Sequence, residues 1–376
     1  TALFVALEET ESELRRNAAS LGLAIEDVDV LDLTPASTAF TDDATYDVFE
    51  PDEVDGGATV DRIVERVRAT APDRVVIDPL TQLRYLAPDD YQFRTQVLGL
   101  TRFCGGRGAT LLFTSQAGAG ADPDLQFMAD GVIEMHHGAT GRTVDVPKLR
   151  GSDSRSGVHA MRIESGGLSV YPELRPGDQT EFEHETVSAG GPALDEQLHG
   201  GIERGTVTIV AGPTGVGKTT TGAQFMKEAA GRGERSKIYM FEETERTFLQ
   251  RCSAVNIPVE RMLERGPLSV ETVEALERSP QEFAHGVRHD VEANDTRIVM
   301  IDGVDGYDLS IRGDEADLRR QLHRLCRYLK RRGVTVVLVA TTGSVTGEFR
   351  VSEAGVSYLA DSVLFLRHIA MEGELR

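Results

Sequence analysis

The residues with the plainest chemical purpose are Gly212, Pro213, Thr214, Gly215, Val216, Gly217, Lys218 and Thr219. They satisfy G-x-x-x-x-G-K-[ST] at every fixed position. Glycines at these spacings let successive backbone N–H groups converge on a polyphosphate, and a helix N-terminus beyond them favours the same negative charge. Lys218 is expected to reach the β and γ phosphates and Thr219 to hold Mg2+, with Thr220 completing the cofactor-binding set. The motif has meaning only between a strand and a helix. Both are present in the sequence, since Val207 to Ala211 read as a buried strand and GAQFMKEAA follows with helical periodicity. The implied ligand is a nucleoside triphosphate with Mg2+.

Three carboxylates complete the candidate chemistry. Asp302 closes a hydrophobic strand downstream of the loop, where a carboxylate holds a magnesium-bound water; a helix cap is the alternative role. Glu242 and Glu243 follow the strand KIYMF. They are placed to orient or deprotonate water while Lys218 and the metal absorb developing charge. An acidic lead-in to the next helix would also favour glutamates there. Thr341, and Ser115 with Gln116 earlier in the chain, end strands at equivalent positions and are weaker candidates to sense the γ phosphate.

The elements that must carry these residues occur twice. Glu8-Glu9-Thr10-Glu11 repeats as Glu242-Glu243-Thr244-Glu245, an offset of 234 residues. Further pairs follow in the same order: the strands ending at Asp78 and Asp302, the helix–turn–strand stretches 100–116 and 325–341, and FMADGVIEM at 127–135 with YLADSVLFL at 358–366. This is an internal duplication of one βα unit, which calls for mostly parallel sheets covered by helices. Glu8 and Glu9 are the first copy's candidate catalytic carboxylates. The copies are cut differently: the first opens just before its Glu-Glu-Thr, with no phosphate loop, and the second stops at Arg376. The pattern predicts an internal piece of a longer protein, lacking about 40–50 residues before Thr1. The expected organisation is a first domain at 1–175, a linker at 176–186 and a second domain at 187–376. Residues 41–57, acidic and aperiodic, are expected to form an exposed loop. Ile63, Val64 and Val67 predict one helical face, and Leu318, Leu322, Leu325 and Leu329 another.

Composition narrows the class. Acidic residues number 61 against 40 basic ones, for a net charge of -21, and only Lys148, Lys218, Lys227, Lys237 and Lys330 are lysines. An acidic, arginine-rich surface suits a cytoplasmic protein of a halophile, because molar salt screens self-repulsion within a few ångströms; a GC-rich genome alone would also favour arginine. Strong non-specific affinity for nucleic acid is disfavoured. No apolar run approaches a membrane span, and Cys104, Cys252 and Cys326 read as core thiols in a reducing compartment. One piece of the first copy has no counterpart: Lys148-Leu149-Arg150-Gly151-Ser152. Alternation sets Lys148 and Arg150 on one side, suited to clamping phosphates in trans across an interface; a solvated turn is the plainer alternative.

Together the tandem copies, GPTGVGKTT, the Glu-Glu-Thr pairs, the strand-terminal aspartates, the LAD segment and KLRGS resemble the KaiC-like branch of the RecA-type ATPases, over almost the entire chain. The resemblance implies an α/β fold of two tandem RecA-like P-loop NTPase domains, the first truncated at its N-terminus and the second at its C-terminus. It further implies Mg2+ and ATP as cofactors, slow hydrolysis, and a homo-oligomeric ring, often a hexamer, with Lys148 and Arg150 reaching a neighbour's nucleotide. By the same match Glu242 and Glu243 are the catalytic carboxylates. Clock members of the family also phosphorylate a serine and an adjacent threonine of their own chain. Here Ser357 keeps the serine, while Tyr358 stands where the threonine would be, making Ser357 a one-site candidate. Regulatory protein partners follow from this reading. The competing expectations are a recombinase-like ATPase associated with DNA, and an ATP-gated scaffold with negligible turnover.

Overall fold

A computed structural model describes residues 1–34, 56–116, 123–138, 141–175, 177, 180–274, 276–311, 315–342, 357–368, 370–371 and 374–375. In its first part the order is β1 (Ala2–Ala6), α1 (Glu11–Ser20), β2 (Asp29–Asp32), α2 (Gly56–Thr70), β3 (Arg74–Asp78), α3 (Thr81–Leu86), α4 (Asp90–Gly105) and β4 (Thr110–Phe113). Then come α5 (Pro123–Met128), β5 (Gly131–Gly138), β6 (Gly141–Leu149), β7 (His159–Glu164) and β8 (Gly167–Tyr171). The second part opens with β9 (Thr186–Val187), α6 (Pro192–Gln197), β10 (Ile202–Glu203), β11 (Val207–Gly212), α7 (Lys218–Gly231), β12 (Arg235–Met240) and α8 (Glu245–Ala254). It continues through α9 (Val259–Arg265), β13 (Leu268–Thr272), α10 (Pro280–Asn294), β14 (Thr296–Asp302), α11 (Val304–Ser310), α12 (Glu315–Arg331), β15 (Thr335–Thr341) and β16 (Ser362–Phe365).

The duplication is visible in the sheets. In the first part the strands run β2-β1-β3-β4, all parallel. In the second they run β13-β12-β14-β15-β11-β16, again all parallel. The first four strands of each order are sequence counterparts. The second sheet adds β11, the strand that leads into the glycine-rich loop, between β15 and β16. In the first copy β5, the counterpart of β16, belongs instead to a four-stranded sheet of order β5-β6-β7-β8. By compactness the chain divides into one unit of 1–134, 146–156 and 162–169, and a second of 135–145, 157–161 and 170–376.

Burial explains the strands. Every residue of β11, VTIVAG, is buried, as expected for a strand covered by helices on both faces. Side chains alternate to two cores: Ile209 and Ala211 join Phe283 and Leu322 on one face, and Val210 joins Phe225 and Met300 on the other. On α12 the predicted leucine face, Leu318, Leu322, Leu325 and Leu329, is buried, while Arg320 and Arg327 lie on the wet side. Ile63 and Val67 are buried on α2 as expected, with Val64 packed against the same core. All three cysteines are free, buried and helical. The acidic stretch expected to be an exposed loop falls outside the described residues through 55, and Gly56 and Gly57 open α2. No helix among the described residues is long and apolar enough to cross a membrane.

Within the second unit, the stretch expected to be a linker is anchored. Phe182 sits over Gly205 and Gly333, where an added Cβ would come within 2.6 Å and 2.8 Å of its ring. Thr180 donates its backbone N–H to Arg331 O at 2.9 Å. Glycine at both positions is therefore a close-approach requirement, reinforced by φ of +72° and +70°.

Candidate active site

The glycine-rich loop turns sharply from β11 into α7. Gly215 and Gly217 have φ of +83° and +100°, and Gly217 is the N-cap of α7. At Gly212 a side chain would collide with the Leu366 carbonyl oxygen, so the backbones pass too closely for any residue with a Cβ. The backbone N–H groups of the first turn of α7 have no partner within that helix, and the loop places them at the cleft floor. Lys218 is only 8% exposed, and its Nζ donates to Pro213 O at 3.0 Å. Burial lowers its pKa, opposed by Glu242, Asp302 and Asp305. Behind the loop, Gly222 lies against Met300, which lets α7 pack directly on β14.

One cleft of about 360 Å3 collects Thr214, Gly215, Gly217, Lys218, Thr219, Thr220, Glu242, Glu243, Asp302 and Thr341, together with Arg251 and Val339. Gly212, Pro213 and Val216 shape the loop without lining that cleft. Asp302 ends β14 and is 6% exposed; Thr219 Oγ1 donates to its Oδ1 at 3.1 Å. Burial, then the charge of Glu243, pushes the Asp302 carboxyl up to about 7.

These oxygens fit Mg2+. Cis ligands on an octahedral ion with bonds of about 2.1 Å lie about 3 Å apart, close to the Thr219–Asp302 separation. A divalent cation would also reverse the cost of a charge buried there.

The glutamate pair stands at the exit of β12. Thr244, the third residue of the repeated triplet, is the N-cap of α8, accepting from the Thr247 N–H; Thr10 caps α1 in the same way, with a full capping box to Glu13. The triplet's threonine therefore has a helix-capping function in both copies. Glu243 pairs with Arg251, and one of its carboxylate oxygens, Oε1, is buried without a hydrogen-bond partner. Burial raises the Glu243 pKa; Arg251 opposes this and Glu242 adds to it. Glu242 is exposed and lies over Gly303 and Gly306, where an added Cβ would come within 2.7 Å and 2.8 Å of its Cγ. Gly303 also has φ of +91°. Replacing it by alanine is expected to destabilise the second unit by about 1–3 kcal/mol, through left-handed backbone strain and displacement of Glu242. Denaturant titration of Gly303→Ala checks this, and an unchanged midpoint would contradict it.

Sequence reasoning missed three contributors. Arg251 sits eight residues beyond its partner, and only the lean of helical side chains toward the N-terminus brings the two together. Asp305, on α11, accepts from the Thr341 N–H at 2.9 Å and fixes the end of β15 at the cleft. Asp361, the aspartate of the LAD segment, accepts from the Val207 N–H at 2.9 Å and pairs with Lys330 at 2.6 Å, pinning the start of β11. Its exposed position before a strand gave no hint of that task.

Of the remaining predicted residues, Glu8, Glu9, Lys148 and Arg150 belong to the first unit and Ser357 to the second. Glu8 and Glu9 are exposed at the end of β1, with Asn17 donating to Glu9 at 3.3 Å, and no glycine-rich phosphate loop accompanies them among the described residues. Lys148 and Arg150 do fall on one side, as alternation predicts. Within this chain they cap the end of α5: Lys148 Nζ donates to the carbonyls of Gln126 at 2.7 Å and Phe127 at 3.1 Å, and Arg150 to Phe127 O and Asp130 at 3.3 Å. Ser357 opens a short 3-10 turn, Ser357–Leu359.

Comparison with known proteins agrees with this geometry. A family model described as "ATPase: KaiC" matches residues 1–175 and 187–376. The circadian clock oscillator protein KaiC of Acaryochloris marina is 24% identical over 388 residues, covering 100% of this chain and 73% of that protein. The proteins of the same name from Parasynechococcus marenigrum and Synechococcus elongatus are each 23% identical, covering 99% of this chain and 74% and 73% of their own lengths. These relatives are cyanobacterial and carry no specific pointer to a haloarchaeal source. With 365 of its residues matched in two tandem blocks, the chain belongs to the KaiC family of P-loop ATPases.

Proposed function

We propose that the second unit binds Mg2+ with ATP and slowly hydrolyses ATP to ADP and phosphate, in a regulatory ATPase that assembles as a homo-oligomeric ring, a hexamer. The observation that carries this reading is the convergence of Lys218, Thr219, Asp302, Glu242 and Glu243 on one cleft. The regulatory part rests on the naming of the relatives as clock oscillator proteins. The cytoplasm of a salt-adapted cell fits the net charge of -21.

The chain's own groups divide the work. N–H groups of the loop and of the first turn of α7 receive the phosphates, and Lys218 places a positive charge where charge develops on the transferred group. Thr219 and Asp302 are the oxygen ligands for Mg2+, which when bound neutralises the β and γ phosphates. A carboxylate of the Glu242–Glu243 pair orients the attacking water and accepts its proton. Asp305 holds the Thr341 backbone at the cleft edge. Lys148 and Arg150 would act on a neighbouring subunit's nucleotide by exchanging their carbonyl partners on α5 for phosphate, a stronger charge-assisted acceptor.

Incubation of the full chain with ATP in molar KCl, following both phosphate release and protein mass, tests the reading. Phosphate release is expected in the wild-type protein, and Lys218→Ala is expected to lower it by about 100-fold or more. A Lys218-dependent gain of one phosphoryl group on Ser357 would add serine autophosphorylation to the activity. Release without an adduct would exclude it. Nucleotide binding without turnover would leave an ATP-gated scaffold and overturn the hydrolase.

A further inference from the structure

The two copies give the glutamate pair different surroundings, and the difference is informative because the pair itself is repeated. At the offset of 234 residues, Glu8 and Glu9 correspond to Glu242 and Glu243, and Asn17 corresponds to Arg251. Both copies restrain the second glutamate from the following helix at this one position. In the first copy the restraint is a neutral contact, Asn17 Nδ2 to Glu9 at 3.3 Å. In the second it is an ion pair between Arg251 and Glu243 Oε2. The first glutamate differs as well. Gly303 and Gly306 leave room for Glu242, and their first-copy counterparts, counted from Asp78 and Asp302, are Pro79 and Gln82. The anchor on one carboxylate and the clearance for the other thus occur together in the second copy, beside the phosphate loop at Gly212–Thr219.

We propose that Arg251 is a positioning residue that splits the pair, tying Glu243 down as a fixed counter-charge and leaving Glu242 as the carboxylate that meets the attacking water. The inference rests on the hydrolase reading above. Geometry separates the roles. Glu243 has only 12% of its side chain exposed and one oxygen committed to the guanidinium, so it is fixed in place and cannot follow a moving water. Glu242 is exposed, has room over two glycines and lines the same cleft as Lys218 and Asp302. Without the guanidinium, Glu243 is free to swing toward Glu242, and like charges in adjacent carboxylates disturb the one that must act. In the hydrolytic step one water proton passes to Glu242, the water oxygen bonds to the γ phosphorus, and the bond from that phosphorus to the bridging oxygen breaks with its electron pair leaving on ADP.

The test is a double-mutant cycle on the full chain, with nucleotide affinity read separately by a fluorescent ATP analogue in EDTA. Arg251→Asn, which installs the first copy's residue, is expected to lower kcat by about tenfold to a hundredfold, with KM and analogue affinity within about twofold of wild type. Arg251→Lys should recover part of the loss. In a Glu243→Gln background the Arg251→Asn change should have no further effect, because its target is gone. Glu242→Gln should cost more than Glu243→Gln. Wild-type kcat in Arg251→Asn, an undiminished effect in the Glu243→Gln background, or a parallel loss of analogue affinity would overturn the inference while hydrolysis stood. Absent turnover in the wild-type chain would overturn the hydrolase reading, and this inference with it.

Discussion

Asp302→Asn is expected to abolish Mg2+-dependent nucleotide binding and, at pH 8 in EDTA, to raise the melting temperature. The two effects have one cause. The Asp302 carboxyl is buried and pushed from its ordinary value near 3.8 up to about 7, so ionising it within the fold is unfavourable. Between those two values the native state binds more protons than the unfolded chain, and stability falls as pH rises through that window. Above about pH 7 the full cost is present, up to about 4 kcal/mol before water entering the cleft reduces it. Asparagine keeps an oxygen to accept the Thr219 hydroxyl but has no charge to bury. The stability gain should therefore be largest at pH 8 and shrink toward zero near pH 4, read by calorimetry across that range. A variant melting below wild type at pH 8, or one retaining Mg2+-dependent affinity, would refute the account. Charge complementarity to a cation and stability without it pull in opposite directions at this residue.

Phe283→Ala should be the most destabilising single change near the site, at about 3–5 kcal/mol. Phe283 is fully buried on α10 and meets Tyr239, Phe241 and Tyr307 edge-on at centroid distances of 5.1, 5.4 and 5.7 Å. Such contacts add to the loss from area and cavity. Two of those rings flank functional groups: Phe241 directly precedes Glu242, and Tyr307 lies in α11 two residues beyond Asp305. Removing the central ring should thus lower the urea midpoint and also reduce turnover in the fraction that remains folded. A midpoint shift worth under about 1 kcal/mol would show that the cluster closes over the gap.

What could be read in advance was whatever is local in sequence. The phosphate loop, its buried strand and its helix lie in one short run, and the leucine face of α12 repeats with helical spacing. Duplication itself was legible because Glu-Glu-Thr and Ala-Asp recur in order, although their repeated residues proved to have structural tasks too: Thr10 and Thr244 cap helices, and Asp361 holds the first N–H of β11. What escaped was assembled from separate pieces. Gly303 reads as a turn residue until Glu242, from another strand, is seen lying against it. Arg251 is one of many arginines on a helix, and nothing in its spacing distinguishes a partner eight residues back. Charged contacts between neighbouring strand ends depend on the order of strands in the sheet, and sequence periodicity does not encode that order.

The Phe182 peg has a mechanical meaning. Gly205 and Gly333, the two glycines it covers, stand just before β11 and β15, adjacent parallel strands whose far ends carry the phosphate loop and Thr341. A pull along residues 180–186 would therefore load both strands at their entry ends, in shear, against their whole ladder of hydrogen bonds. A nucleotide held by the phosphate loop would restrain the exit ends of the same two strands. Tension and ligand would thus act on opposite ends of one pair of struts, and a bound nucleotide should raise the force needed to draw residues 180–186 away.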